Sequence, residues 1–351
     1  MTVSFFATTD IKLHRHLRSR VTGTYSMSAI LSMEPLIQEV MDLNLTKLRQ
    51  FADRGEILYM DKWANYFTLD VVGQLGLGGV LGFLETGSDV NGIIGSIHDG
   101  FWLMSNMGNI PLQMFWLNNR FAKWLVKKLG GKRLNAFDVF LDWLDRQVED
   151  RMVNSLGDRR RDMLQHFIEA KDMSGNPVKK EDVMIEGVNL LGAGADTTAI
   201  GILACIGALL LHPEHKRKVM AEVDEAYELL GLHKENREIS FKDAEKLPYL
   251  SAVVCESTRL HPSIQYQLPR YVPKGGIQLG HYFVPEGSIC GISPQTMNRS
   301  KEIFGADAEE FKPQRWVAET AADEERIKLQ NSLLTTVSAH FLLEHRRTLL
   351  S

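Results

Sequence analysis

Cysteine is scarce in this chain. Cys205, Cys255 and Cys290 are its three thiols, far apart and odd in number. No CxxC pair offers a metal-ligand set and no disulfide framework is encoded, so a reducing, intracellular compartment is the default. Excess positive charge is missing too: the net charge is −4, which gives nucleic acid no electrostatic reason to bind. No secretory leader is visible, because MTVSFFATTDIKLHRHLRSR puts a short apolar patch before its basic residues, the reverse of the signal-peptide order. The most apolar run, 183–212, is interrupted by Glu186, Asn189, Asp196 and glycines, and reads as a core helix rather than a membrane span. Repeats and low-complexity tracts are absent.

What remains is an ordinary soluble composition, 44% hydrophobic and 24% charged over 351 residues, long enough for one large domain or two smaller ones. Up to residue 262 the pattern is helical. From Pro35 onward Leu36, Ile37, Val40, Met41, Leu48 and Phe51 recur at three- and four-residue steps, an amphipathic helix with proline in its first turn. A second helix starts after Asp61 and ends at the glycine cluster Gly76–Gly79. Residues 92–150 read as helical with breaks at Pro111 and Gly130-Gly131, and GDRRRDMLQHFIEAKD as a polar loop entering a helix, its arginines a solvated face. After residue 262 short β-like segments, RYV, GIQLG and HYFVPEGSIC, alternate with turn residues. The expected fold class is mainly α with a small β section, in a single domain.

Three short patterns carry chemistry. Ala193-Gly194-Ala195-Asp196-Thr197-Thr198 places small residues, an acid and hydroxyls within an apolar helix. Glycine there costs about 1 kcal/mol against alanine, and an unpaired buried carboxylate costs far more. Small residues admit a flat ligand or O₂ to the backbone, and an acid beside a hydroxyl makes a proton relay. The plainer reading is a helix bent by threonine back-bonding. Second, Glu256 and Arg259 lie three apart on one helix face and can pair, although an ExxR match arises by chance about once in a chain of this size. Third, FKPQRW presents Arg315 from a proline-broken loop.

Their order is more specific than any one of them. AGADTT, then ExxR with LHP, then PR-x-VP-x-GG, VPEGS and FGADAEEFKPQRW resembles the successive signature of the cytochrome P-450 superfamily of haem-thiolate monooxygenases. KLHRHLRSRVTGTYSMSAILSMEP and YFTLDVVGQLGLGG are similar to earlier segments of its fungal, pisatin-demethylase-like, secondary-metabolism members. The resemblance covers residues 1 to about 334, a partial cytochrome P-450 domain, and leaves 335–351 as a non-family tail. It implies that Asp196 and Thr197 are the acid–alcohol pair delivering protons, with Ala193 and Gly194 forming the oxygen groove. It implies a buried ion-pair network of Glu256, Arg259 and Arg315, and haem propionates faced by His14, Arg18 and Arg270. Ser263, Ile264, Gln265 and Leu268, with the apolar face before Ala193, would line the substrate pocket. The implied cofactor is haem, and the implied partners are an NADPH-cytochrome reductase and an apolar small molecule to be hydroxylated or oxidatively demethylated. The family's place is the endoplasmic reticulum membrane.

Two departures qualify this. The family's anchor helix, first sheet and pocket-covering loop have no counterpart here, which leaves a cytoplasmic location open. Nor is there any FxxGxRxCxG loop with its iron-binding cysteine: NSLL still resembles the family, but TTVSAHFLLEHRRTLLS does not. His340 and His345 could offer imidazole, without the electron push of a thiolate. The expectation is a chain truncated at both ends and inactive as written, the abrupt change resembling a lost reading frame, a retained intron or a mispredicted exon. The alternatives are an active enzyme behind a faulty gene model, a non-enzymatic helical binding protein, and a fragment that folds poorly for want of a pocket wall. Asn44-Leu-Thr and Asn298-Arg-Ser match the glycosylation triplet, a common pattern.

Overall fold

The computed structural model describes residues 4–6, 8, 10–107, 119–121, 124, 128, 136–154, 162–232, 238–267 and 269–334. The chain forms two compact units, 1–199 and 200–351.

The first unit is helical. Helix α1 (Ile11–Thr22) is capped by Asp10, whose carboxylate accepts from the Leu13 N–H at 2.9 Å. A short α2 (Met27–Ser32) leads into α3 (Glu34–Arg54), which has Pro35 in its first turn and stops at Gly55, where φ is +63°. Helix α4 (Met60–Gly76) follows, then α5 (Phe83–Thr86), α6 (Ile93–Met107), α7 (Ala136–Val153) and α8 (Met163–Glu169). Helix α9 (Lys180–Leu211) begins in this unit. The core gathers Val40, Leu69, Phe83, Phe140, Leu144 and Leu191, all essentially without solvent exposure.

Glycine sets how close α4 comes to its neighbours. A Cβ at Gly76 would stand 2.4 Å from Leu190 Cδ2, and one at Gly73 2.5 Å from Leu81 Cγ and 2.9 Å from the Gly79 carbonyl oxygen. Both are overlaps; at Gly73 the clash includes backbone, so the 79–81 turn approaches α4 this closely because no side chain intervenes, whereas at Gly76 the Leu190 side chain would have to shift. Between them Asp70, fully buried, accepts N–H bonds from Leu81 at 2.8 Å, Phe83 at 3.3 Å and Leu84 at 2.8 Å. The carboxylate satisfies the orphan donors that open α5. A second buried acid, Asp162, caps α8 through the Gln165 N–H and holds Arg151 of α7 at 2.8 and 3.0 Å; Arg151 also donates to the Leu77 carbonyl at 2.7 Å.

The second unit contains the rest of α9, α10 (Pro213–Leu230), α11 (Phe241–Ala244) and α12 (Pro248–Leu260). Two small antiparallel ladders follow, β1 (Arg270–Tyr271) with β4 (Ile289–Cys290) and β2 (Ile277–Leu279) with β3 (Tyr282–Val284). These fall on the RYV, GIQLG and HYFVPEGSIC segments. A 3₁₀ turn at Pro313–Trp316 and a helix at Ala321–Leu333, opened by a Thr320–Asp323 capping box, complete the unit. Its small core is Ala252, Phe304, Ala308 and Trp316.

The fold is mainly α with few short strands, as the pattern predicts. One expectation needs correction. The run 183–212 is most buried in its first half, at Val183, Leu190, Leu191, Ala195 and Ala199, and partly buried beyond it, with Ala208 buried. Its last turn is open, with Leu210 66% and Leu211 79% exposed. Periodicity cannot tell a helix buried along its whole length from one whose end is open. The breaks at Pro111 and Gly130-Gly131, the arginines 159–161, and the tail 335–351 with His340 and His345 lie outside the described residues.

Candidate active site

Helix α9 runs unbroken through Ala193–Thr198. Asp196 sits a third exposed, and its Oδ1 lies 3.2 Å from Nε2 of His98 on α6. The pair raises the His98 pKa above its ordinary value: the hydrogen bond to Asp196 is the largest cause, burial opposes it, and the charges of Asp196, Asp89 and Asp99 add to the rise. The Thr197 hydroxyl donates to the Ala193 carbonyl at 2.7 Å, the back-bond that the plainer sequence reading anticipates. Ala193 is exposed, and a Cβ at Gly194 would meet Val72 Cγ2 at 3.6 Å, an ordinary contact. Packing within the unit therefore does not require glycine at 194. The acid in this apolar helix carries no full burial penalty, because Asp196 is neither fully buried nor unpaired.

The second group is built on α12. Glu256 and Arg259 have no solvent exposure, and Arg259 grips Glu256 with two parallel bonds of 2.8 Å, Nε to Oε2 and Nη2 to Oε1. Nη1 of Arg259 donates to the carbonyls of Asn298 at 2.7 Å and Ala308 at 2.6 Å, and Nη2 to that of Glu310 at 3.2 Å. All five guanidinium donors are thus used. Glu256 also accepts from the Lys312 N–H at 2.9 Å and the Trp316 indole N–H at 2.8 Å. Arg315 comes in from the 3₁₀ turn, with Nε 3.5 Å from Glu256 Oε1, beyond a good hydrogen bond. Its Nη1 donates to the Phe304 carbonyl, and its Nη2 to Asp307 Oδ1 at 3.0 Å. Lys312 and Arg315 together hold Asp307 well below the usual carboxylate range, at about 2. The structure brings Glu256, Arg259 and Arg315 together in one cluster.

The other predicted residues are more dispersed. His14 is half-buried and Arg18 exposed on α1. Arg270 is exposed in β1, its Nη1 donating to the Pro269 carbonyl at 2.9 Å. Ser263 and Ile264 are half-buried, and Gln265 is exposed, its carbonyl accepting from the Ser293 hydroxyl at 2.8 Å. Leu268 lies outside the described residues. Of the two glycosylation triplets, Asn298 is fully buried, so no glycan can reach it, and Asn44 accepts from the Trp63 indole N–H at 2.7 Å. Sequence reasoning missed His98, 98 residues from its partner, and the buried pair Arg151–Asp162; no local pattern marks either.

The cytochrome P-450 family pattern matches residues 4–332. This chain belongs to the cytochrome P-450 family. A cytochrome P-450 monooxygenase of Aspergillus terreus is 33% identical over 342 residues, 95% of this chain and 67% of that protein. The pisatin demethylase of Fusarium vanettenii is 31% identical over 314 residues, 87% of this chain and 58% of its own length. The mpaDE cytochrome P-450 monooxygenase of Penicillium brevicompactum is 33% identical over 337 residues, 38% of its length. This chain therefore spans between about four tenths and two thirds of these relatives. A crystallographic cytochrome P-450 shares the fold, with a TM-score of 0.71 at 18% identity, over 92% of this chain and 66% of that one.

Cytochromes P-450 use haem, and a thiolate ligand must be deprotonated to bind metal. The cysteines present do not fit that role. Burial pushes the Cys205 thiol up, and burial followed by the charge of Glu256 raises Cys255 to about 11, which disfavours the thiolate at both; neither helix position, in α9 or in α12, is a glycine-rich loop. Cys290 sits in the β1–β4 ladder opposite Arg270, not on a glycine-rich loop.

Proposed function

We propose that this cytochrome P-450 chain carries the proton-handling and scaffold parts of a fungal secondary-metabolism monooxygenase, and that residues 1–351 do not by themselves supply the iron ligand. The observation that carries the first half is the 3.2 Å contact of Asp196 with His98, on the helix that exposes Ala193 one turn back. A half-exposed imidazole bonded to a carboxylate can take a proton from water at one ring nitrogen and pass it at the other. Thr197, one residue on, offers the alcohol of the pair. Glu256, Arg259 and Arg315 hold the 298–316 loops to α12, a positioning role. His14, Arg18 and Arg270 are assigned to the haem propionates, and Ser263, Ile264, Gln265 and Leu268 to an apolar small-molecule substrate. The reaction is hydroxylation or oxidative demethylation with O₂ and NADPH, electrons arriving from a separate reductase at the endoplasmic reticulum membrane.

The second half rests on where the cysteines stand: Cys205 within α9, Cys255 within α12 and Cys290 in the β1–β4 ladder, none on a glycine-rich loop. Its test is reconstitution of the purified chain with ferric haem, followed by reduction under carbon monoxide. No red-shifted thiolate Soret band is expected. A thiolate band that disappears when Cys205, Cys255 or Cys290 is changed to serine overturns this reading. Sequencing the transcript across codons 331–351 separates a genuine tail from a gene-model fault: a frame encoding a glycine-flanked cysteine there restores the active enzyme.

A further inference from the structure

His212, Glu214 and His215 stand at the start of α10, and no role is assigned to them above, although Gln265 lines the same groove. The His212 Nδ1 is 3.6 Å from Glu214 Oε1, and the His215 Nε2 is 3.7 Å from the same oxygen. One donor atom from each of the three lies within 4.8 Å of the other two. Both nitrogen–oxygen separations are too long for good hydrogen bonds. They exceed by only a few tenths of an ångström the edge of about 3.3 Å expected between ligands bonded at about 2.0–2.1 Å to a tetrahedral ion.

The rings are held in place. The His215 Nδ1 lies 2.7 Å from the Tyr249 hydroxyl, which also accepts from Gln314 Nε2 at 3.1 Å. With Nδ1 committed there, His215 offers Nε2, the atom facing Glu214, in the manner of metal-binding histidines whose second nitrogen is anchored. The His212 ring stacks on Phe311 at 5.0 Å and the His215 ring meets it edge-on at 5.5 Å. All three residues line an open groove of about 1160 Å³, which leaves a position for water or a ligand. A cation at a helix start works against the positive end of the dipole, so Glu214 is needed beside the two imidazoles.

We propose that His212, Glu214 and His215 form a three-ligand site for Zn²⁺ or a similar transition-metal ion, open toward the groove. Two imidazoles and one carboxylate favour such an ion over Mg²⁺ or Ca²⁺, which take all-oxygen sets.

The test is calorimetric titration of the full, chelator-treated chain with ZnCl₂, paired with the visible absorption of added Co²⁺. One equivalent should bind, with a tetrahedral Co²⁺ spectrum. Glu214→Gln should weaken binding at least about tenfold, as should His212→Ala, with the metal-free melting curve of each recorded to show that it is folded. Tyr249→Phe should weaken it about tenfold while keeping the stoichiometry. Absence of stoichiometric binding overturns the proposal, as does binding that Glu214→Gln and His212→Ala leave unchanged, since the remaining histidines would then be the ligands.

Discussion

Two charged clusters of this cytochrome P-450 differ in burial, and with burial goes their task. Glu256 and Arg259 have no solvent exposure and between them use every guanidinium donor. Asp196 and His98 share a single contact and are a third and a half exposed. A buried charge tolerates only one arrangement, because each lost partner leaves an uncompensated group in a low dielectric. A half-exposed pair can gain or lose a proton without such a cost. The first cluster can fix loops; only the second can exchange protons at little expense.

The sharpest way to break this contrast is Arg259→Ala. It strands Glu256 and three carbonyls, and should cost about 3–5 kcal/mol in urea or thermal denaturation. Arg259→Lys should recover less than half of that, because an ammonium cannot form the parallel pair. An unchanged midpoint for Arg259→Ala would show that the network is no more than decoration. Arg315→Ala comes next. It removes the bonds to Phe304 and Asp307 but leaves Glu256 gripped by Arg259, so a smaller loss of about 1–3 kcal/mol is expected by the same assay.

Asp307 gives a pH readout on the rim of the network. Its folded pKa of about 2 lies below the ordinary carboxylate value. Its contribution is therefore present above the unfolded pKa and is lost as pH falls from about 4 toward 2. Asp307→Asn should remove that acid-labile portion from a stability–pH series, and the portion is small because Asp307 is partly exposed.

The smallest stability effect belongs to the other cluster. His98→Ala and Asp196→Asn should each change stability by no more than about 0.5 kcal/mol. The His98 ring should nonetheless titrate by NMR with a midpoint above about 6.5, and Asp196→Asn should lower it. Since the folded pKa is raised, the stabilisation from this pair is full below the unfolded value and disappears as pH rises through the folded one. A midpoint unmoved by Asp196→Asn would mean that the two groups do not share a proton.

Much of this was legible beforehand. Helices α3 and α4 follow from apolar periodicity and their Pro and Gly punctuation, and the four strands fall on the β-like segments between turns. Glu256 and Arg259 are i, i+3 neighbours, so their pairing is a property of any helix containing them. The carbonyls that complete Arg259 come from 39, 49 and 51 residues away, and nothing local marks them. No local pattern marks Asp70 or Arg151, yet both are buried on partners from other segments.

The sequence alone determined the family, the mainly helical class, and which residue types stand at Asp196, Thr197, Glu256 and Arg259, because these rest on order, period and short spacing. Tertiary structure alone decided that Asp196 meets His98, that the last turn of α9 is open, and that burial raises the pKa of the Cys205 and Cys255 thiols. Each of those depends on which distant groups exclude water from a side chain, and solvent exclusion is a property of packing that no local pattern contains.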